Sequence, residues 1–169
     1  MRFGVVSLFV FVILLCPPSL ALDAEPVGWA AIAGGTTGGQ GGQIVTVTSK
    51  AEFISAVSGD TPRIVQVVGT IHGDYNIPNV GSNKTIVGIG YDARIVGFSV
   101  KVTDVDNVII RNLTFQGAMP QDGLICRRAT HVWIDHCTFL DAADGLCDIT
   151  DQCDYITVSW CRFYNTGRV

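Results

Sequence analysis

The chain has 169 residues and a formal net charge of −4 at pH 7, from 11 basic and 15 acidic side chains. An acidic protein does not attract polyanions through its overall field, which argues against nucleic acid as a partner, and any anionic ligand then needs positive charge supplied locally. Charged residues make up only 15% of the chain and there are 19 glycines, a composition that favours many short strands and tight turns.

The N-terminus has the organisation of a secretory signal peptide. Arg2 supplies a positive charge, residues 5–16 form an apolar run, and Ser19-Leu20-Ala21 offers the small residues that a signal peptidase reads. We expect cleavage after residue 21, which leaves 22–169 as one secreted, extracellular domain. The apolar run is shorter than a membrane-spanning helix, and no later segment reaches that length, so no membrane association is predicted.

The first half of the mature chain contains one predicted helix and one predicted strand. Ser49 and Glu52 have the spacing of a capping box, and residues 51–57 are predicted to form a short helix. Residues 63–71 are rich in β-branched side chains, which predicts a strand.

A short segment repeats every 24 residues through the second half of the chain. The four copies are Asn83–Tyr91, Asn107–Phe115, His131–Phe139 and Tyr155–Phe163. Three columns of matching residues run through them: Ile86, Ile110, Ile134 and Val158; Ile89, Leu113, Cys137 and Cys161; and Tyr91, Phe115, Phe139 and Phe163. A constant period of β-branched strands predicts a parallel β-helix, in which equivalent residues stack about 4.8 Å apart. The alternative, a β-propeller, needs about 40 residues for each blade.

Four motifs lie in a fixed order along this repeat. They are NVIIRNL at 107–113, VWIDH at 132–136, DGLCDIT at 144–150 and VSW at 158–160, and GTTGG precedes them at 35–39. Together they resemble the pectate lyase superfamily, polysaccharide lyase family 1, from about Gly28 to the last residue. The resemblance implies an all-β, right-handed parallel β-helix, of which residues 22–169 would be the N-terminal portion, truncated at its C-terminal end.

The resemblance also implies a carbon–oxygen lyase that cleaves polygalacturonate, the pectate polymer, by β-elimination with Ca²⁺ as cofactor. Loss of the proton α to the galacturonate carboxylate builds negative charge, which a nearby cation stabilises. By position, Asp122, Asp144 and Asp148 match the family's calcium carboxylates, and adjacent coils would bring them to one groove. Without the resemblance, aspartates followed by glycine indicate only turns. Pro120 stands where some relatives carry a further ligand, which would weaken the site.

Two arginine positions follow from the same resemblance. Arg168 falls where the family usually has a lysine that binds a substrate carboxylate, a task that a guanidinium performs with a different geometry. The alternative for this residue is a solvated side chain near the chain end. The family's catalytic base is an arginine of a later coil, which would lie beyond Val169, so no catalytic residue is assigned and little lyase activity is expected from this chain alone.

Other notable residues are interpreted as structural. Asp135 and His136 should point to opposite sides of a strand, which argues against a catalytic dyad. Cys137 and Cys161 lie close enough to form a disulfide, but a buried stack of thiols is equally compatible with their spacing.

Three alternatives to a calcium-dependent pectate lyase remain at this point. A pectin lyase would accept methyl-esterified substrate, although the presence of Asp144 and Asp148 favours pectate. A non-catalytic β-helix would bind pectate without cleaving it. A fragmentary gene model would account for the early end of the chain.

Overall fold

The computed structural model describes residues 25–167. The predicted signal peptide and Arg168 lie outside these residues and remain predictions. Within the described range, no helix is both long enough and apolar enough to cross a membrane.

The described chain consists almost entirely of short strands. A single 3-10 turn at Gly28–Ala31 and one α-helix, α1 at Lys50–Val57, are the helical elements between residues 25 and 167. The strands are β1 (Gln43–Val47), β2 (Arg63–His72), β3 (Lys84–Val96), β4 (Val100–Thr103), β5 (Asp106–Arg111), β6 (Thr114–Gln116), β7 (Leu124–Arg127), β8 (Thr130–Asp135), β9 (Thr138–Leu140), β10 (Cys147–Thr150), β11 (Asp154–Ser159) and β12 (Arg162–Tyr164). The predicted helix at 51–57 and strand at 63–71 are both confirmed, each with one further residue.

The strands stack into the three faces of a parallel β-helix. The first face contains β1, β2, the first part of β3, β5, β8 and β11. The second contains the ends of β2 and β3 with β6, β9 and β12, and the third contains β4, β7 and β10. Every one of these pairings is parallel, which confirms the solenoid and rules out a propeller, an antiparallel architecture.

Helix α1 covers one end of the coil interior. Ser49 Oγ accepts a hydrogen bond from the Glu52 amide at 3.3 Å, and Glu52 Oε2 accepts one from the Ser49 amide at 3.1 Å, so the predicted capping box is present. Phe53 and Val57 are fully buried, because this face of the helix packs against β1 and β2.

Two of the predicted columns form the centre of the core. Ile86, Ile110 and Ile134 pair in register and are fully buried, with Val158 above them. In the aromatic column, the rings of Phe115, Phe139 and Phe163 stack with centroids 4.9 and 5.1 Å apart and interplanar angles of 8°. Burial of each large side chain in such a stack is worth roughly 1.5–3 kcal/mol.

The first copy of the repeat departs from the predicted columns. Ile95, not Tyr91, pairs with Phe115 at the base of the aromatic column. Tyr91 is 87% exposed and Ile89 is 42% exposed, so both assignments to the core were wrong.

An outward loop in β3 is the physical reason for this difference. Residues 88–93 stand opposite only Asn112 and Leu113 of the next coil, so the extra residues leave the stack. Gly88 begins the loop, where a Cβ would stand 1.9 Å from the carbonyl oxygen of Asn112. The Asn112 side-chain amide donates to the Gly88 and Gly90 carbonyls at 2.7 and 3.2 Å, so this asparagine ties the loop to the neighbouring coil.

Candidate functional site

The three aspartates predicted from the sequence lie along the third face of the β-helix. Asp122 precedes β7, Asp144 precedes β10, and Asp148 lies within β10 beside Ile125 of β7. The two loops that carry these acids run side by side, because the Gly123 amide donates to the Gly145 carbonyl at 3.0 Å. Adjacent coils therefore bring the acids to one region, as expected.

The pairing of β7 with β10 differs slightly from the repeated DGL motif. Leu124 is in register with Cys147, although the motif alone would align it with Leu146. The offset arises in the loop before β10 and places Asp148 beside Ile125, the second residue of β7.

Gly145 lies between two of the carboxylates. Its amide donates a hydrogen bond to Asp122 Oδ1. A Cβ at Gly145 would stand 2.6 Å from Asp122 Oδ1 and still closer to Asp148 Oδ1. The two carboxylate oxygens therefore converge on the space that the missing side chain leaves open.

The electrostatic surroundings of Asp122 disfavour its ionised form. Burial raises the pKa of Asp122, and the negative charges of Asp148 and Asp144 raise it further, against the opposing hydrogen bond from Gly145. Among residues 25–167, none of the three acids forms an ion pair with a lysine, arginine or histidine. Crowded carboxylates without a cationic partner are suited to a hard divalent cation, which binds through oxygen ligands.

The three acids do not form a complete metal cage. In the part of the chain that the structure describes, no three His, Cys, Asp or Glu side chains are grouped closely enough to hold a metal ion. Asp122 and Asp148 converge at Gly145, whereas Asp144 is exposed and acts on Asp122 through its charge. The geometry fits a two-carboxylate site, and the role of Asp144 stays a prediction.

Sequence reasoning missed one basic residue on this face. Lys101 of β4 pairs with Ile125, which in turn pairs with Asp148, so the lysine occupies the same outward column two coils away. Its ammonium group places one positive charge in the column that contains Asp148. The segment around Lys101 lies outside the 24-residue repeat, and only the register of β4 with β7 could have identified it.

Asp135 forms a buried polar network on the first face. It is fully buried and accepts hydrogen bonds from Arg111 Nε at 3.2 Å and Ser159 Oγ at 2.7 Å. Ser159 Oγ in turn accepts one from Trp133 Nε1 at 2.9 Å. Because the carboxylate is saturated by side chains of three successive coils, its position supports the predicted structural role.

The expected separation of Asp135 from His136 is wrong. His136 Nδ1 lies 2.7 Å from Asp135 Oδ2. Strand β8 ends at Asp135, and His136 has a left-handed backbone with φ +50°, which turns its side chain back toward the carboxylate. Strand alternation therefore does not apply to this pair.

The cysteines of the core are free thiols. Cys126, Cys137, Cys147, Cys153 and Cys161 form no disulfide. Cys137 and Cys161 stack in adjacent coils, where their thiols lie 3.4 and 3.3 Å from the Asp135 and Ser159 carbonyls. Of the two alternatives left open by their spacing, the structure contains the buried stack.

Comparison with known proteins gives a consistent family. The model of the pectate lyase family matches residues 5–169. Pectate trisaccharide-lyase of Thermotoga maritima is 38% identical over 165 residues, covering 88% of this chain, and pectate lyase A of Aspergillus niger is 44% identical over 141 residues, covering 78%. The chain spans 45% and 44% of these relatives' own lengths.

A solved structure has the same fold. The pectate lyase of Bacillus sp. N165, determined in complex with trigalacturonate, superimposes with a TM-score of 0.74 at 25% identity. The alignment covers 86% of this chain and 57% of that protein. From the family match, the identities and the shared parallel β-helix, the chain belongs to the pectate lyase family.

Proposed function

We propose that this chain forms the calcium-binding cleft of a secreted pectate lyase that cleaves polygalacturonate by β-elimination. The observation that carries the proposal is the convergence of Asp122 and Asp148 on Gly145, where neither carboxylate forms an ion pair with a basic side chain of the described residues. Relatives named pectate trisaccharide-lyase and pectate lyase, and a structural neighbour bound to trigalacturonate, support the substrate class.

The residues that would hold Ca²⁺ are Asp122 and Asp148, and the sequence predicts Asp144 as a further ligand. Because Ca²⁺ takes six to eight oxygen ligands, substrate carboxylate and water would complete its shell. The bound ion would neutralise the galacturonate carboxylate and so lower the barrier to loss of the adjacent C5 proton. As a general base accepts that proton, the electrons of the C5–H bond form the C4–C5 double bond and the C4–O bond breaks, and the leaving oxygen takes a proton from solvent.

The remaining roles fall to residues of this chain that position charge. The Gly145 amide orients Asp122 by its hydrogen bond. Lys101, in the same outward column as Asp148, would attract a neighbouring carboxylate of the polymer, and we propose the same role for Arg168. We assign no proton-accepting base between residues 25 and 167, where Arg111 and Arg128 pair with carboxylates elsewhere.

The proposal is tested by measuring trigalacturonate binding and product formation with and without calcium. Isothermal titration should give binding that strengthens with Ca²⁺ and weakens when the ion is chelated. Ultraviolet absorbance of the unsaturated uronate reports elimination in the same samples. A calcium-dependent component that persists in Asp148→Asn, or a preference for fully methyl-esterified substrate with no response to chelator, would contradict the proposal.

A further inference from the structure

A polar groove lies over the second face of the β-helix. Its floor is an outward column of paired residues, one from each of four coils: Arg94, Thr114, Thr138 and Arg162. Since paired strands lie about 4.8 Å apart, the backbones of the two arginines are separated by roughly 14 Å. Two guanidinium groups therefore bracket two threonines.

The turn between the first and second faces forms one wall of this groove. Asn112 and His136 line it, together with the outward loop at Gly90 and Tyr91. The groove encloses about 320 Å³. That volume falls in the range of small-ligand sites, roughly 300–1,000 Å³.

The two arginines at its ends lack acidic partners among the described residues. Arg94 Nη1 donates to Gln116 Oε1 at 3.2 Å, and the Arg162 guanidinium lies 5.7 Å above the ring centre of Tyr164. Neither forms an ion pair, although Asp92 precedes Arg94 by two residues. By contrast, Arg111, Arg127 and Arg128 all pair with carboxylates. The groove is thus a local concentration of unpaired positive charge on an acidic protein.

Exposed aromatic rings stand around the groove. Tyr91 is 87% exposed, and Trp160, which belongs to the last described coil together with Tyr164, stacks on His136 with ring centroids 6.3 Å apart. Large apolar side chains at this exposure are expected to contact a ligand or partner when they rim a polar groove. A flat ring suits the C–H face of a sugar, while hydroxyls and amides of the floor and wall suit its hydroxyl groups.

We propose that this groove binds an anionic oligosaccharide without calcium, with Arg94 and Arg162 each receiving a carboxylate. A guanidinium binds a carboxylate through two parallel hydrogen bonds, a geometry that favours uronate units over neutral sugars. The site is separate from the aspartates, which lie on the third face in the loops before β7 and β10. The groove would add a second contact to a polymer that is also bound at the aspartates of the third face.

Trigalacturonate titrations in the presence of chelator test this proposal on the full chain. Wild-type protein should bind, and the Arg94→Gln/Arg162→Gln variant should lose at least about tenfold in affinity, since glutamine cannot form the paired, charge-assisted hydrogen bonds of a guanidinium with a carboxylate. The matched control, Arg127→Gln/Arg128→Gln, removes the same charge from another turn of the coil and should bind like wild type. Melting temperatures establish that each variant is folded.

Several outcomes would overturn the proposal. One is the absence of calcium-free binding by the wild type, and another is an equal loss in both double variants, which would indicate non-specific attraction. Equal binding of neutral galactotriose, or full competition by inorganic sulfate, would contradict the assignment to acidic oligosaccharides. Asp122→Asn should leave the calcium-free binding intact while it removes the calcium-dependent component, so a failure of either site is distinguishable from a failure of the other.

Discussion

At the scale of single residues, Asp122 and Gly145 determine the charge and geometry of the acidic site, which is formed by Asp122, Asp144 and Asp148. The carboxylate is buried, is close to two further acids, and receives one backbone hydrogen bond. Its raised pKa means that calcium has to compete with a proton at higher pH than is usual for an aspartate. The ionised carboxylates therefore repel one another, and a bound cation would reduce this repulsion.

Asp122→Asn should raise the melting temperature of the calcium-free protein at pH 7. A group whose pKa is raised by folding favours the folded state while it is protonated, and this contribution is lost as the pH rises through the folded-state pKa. The asparagine keeps an oxygen acceptor for the Gly145 amide but carries no charge. Thermal unfolding is measured with chelator at pH 7 and at a pH below 3.8, the ordinary pKa of an aspartate. The difference in melting temperature between the variant and the wild type should vanish at the lower pH.

The matched control for this experiment is Asp92→Asn, which removes an exposed carboxylate from the outward loop of β3. Its melting temperature should equal that of the wild type at both pH values. A destabilised Asp122→Asn at pH 7 would contradict the expected repulsion, because it would mean that the ionised carboxylate is stabilised by a cationic group.

Gly145→Ala should weaken calcium binding without unfolding the coil. The added Cβ would stand too close to Asp122 Oδ1 and Asp148 Oδ1, so both carboxylates have to move. Calorimetric titration with Ca²⁺ measures the effect, and circular dichroism checks the fold. Wild-type affinity in this variant would mean that the two oxygens do not share one ion.

Sequence reasoning at this scale found the acids but not their arrangement. Motif position predicted Asp122, Asp144 and Asp148 as calcium carboxylates, and the structure brings two of them, Asp122 and Asp148, together at Gly145. The role of Gly145 could not be read from the sequence, since it depends on an empty volume between two coils. The contact of Asp135 with His136 was also missed, because one left-handed residue reverses the direction that strand alternation predicts.

At the scale of elements, the stacked columns hold the coils in register. Phe139 lies between the parallel rings of Phe115 and Phe163 and is fully buried, whereas Phe163 is 48% exposed. Phenylalanine therefore contributes differently to stability in adjacent strands, since the Phe139 ring is covered on both faces and the Phe163 ring on one.

Phe139→Ala should destabilise the protein by about 3–5 kcal/mol, the usual cost of removing a buried aromatic ring. Phe163→Ala, the matched control from the neighbouring coil, should cost clearly less because its ring is half in solvent. Urea unfolding followed by circular dichroism gives both values. Equal losses would contradict the assignment of β9 to the interior of the stack.

The repeat predicted these elements well where the first and second faces are joined by turns of equal length. The period of 24 residues correctly placed the strands of the last three copies, because the strands of these two faces and the turn between them repeat the same lengths there. It failed at Ile89 and Tyr91, where residues 88–93 stand opposite only two residues of the next coil and a shorter turn before β4 restores the 24-residue interval. Such an insertion preserves composition and alternation, so the sequence alone does not locate it.

At the scale of the whole molecule, the β-helix presents two chemically different surfaces. The third face carries crowded carboxylates with Lys101 in the same column, and the second face carries the groove between Arg94 and Arg162. We propose that a long anionic polymer binds the carboxylates of the third face through calcium and the arginines of the second face directly. These two contacts would allow a chain with a net charge of −4 to bind a polyanion.

The central claim is that adjacent coils place Asp122 and Asp148 on one calcium ion, and a double-mutant cycle tests it most directly. Calcium affinity is measured by calorimetry for the wild type, for Asp122→Asn, for Asp148→Asn and for the double variant, with Asp92→Asn as the control. Two ligands of one ion are coupled, so each single variant should lose at least about tenfold and the double variant far less than the sum of both losses. Additive losses, or an affinity unchanged in either single variant, would contradict the account.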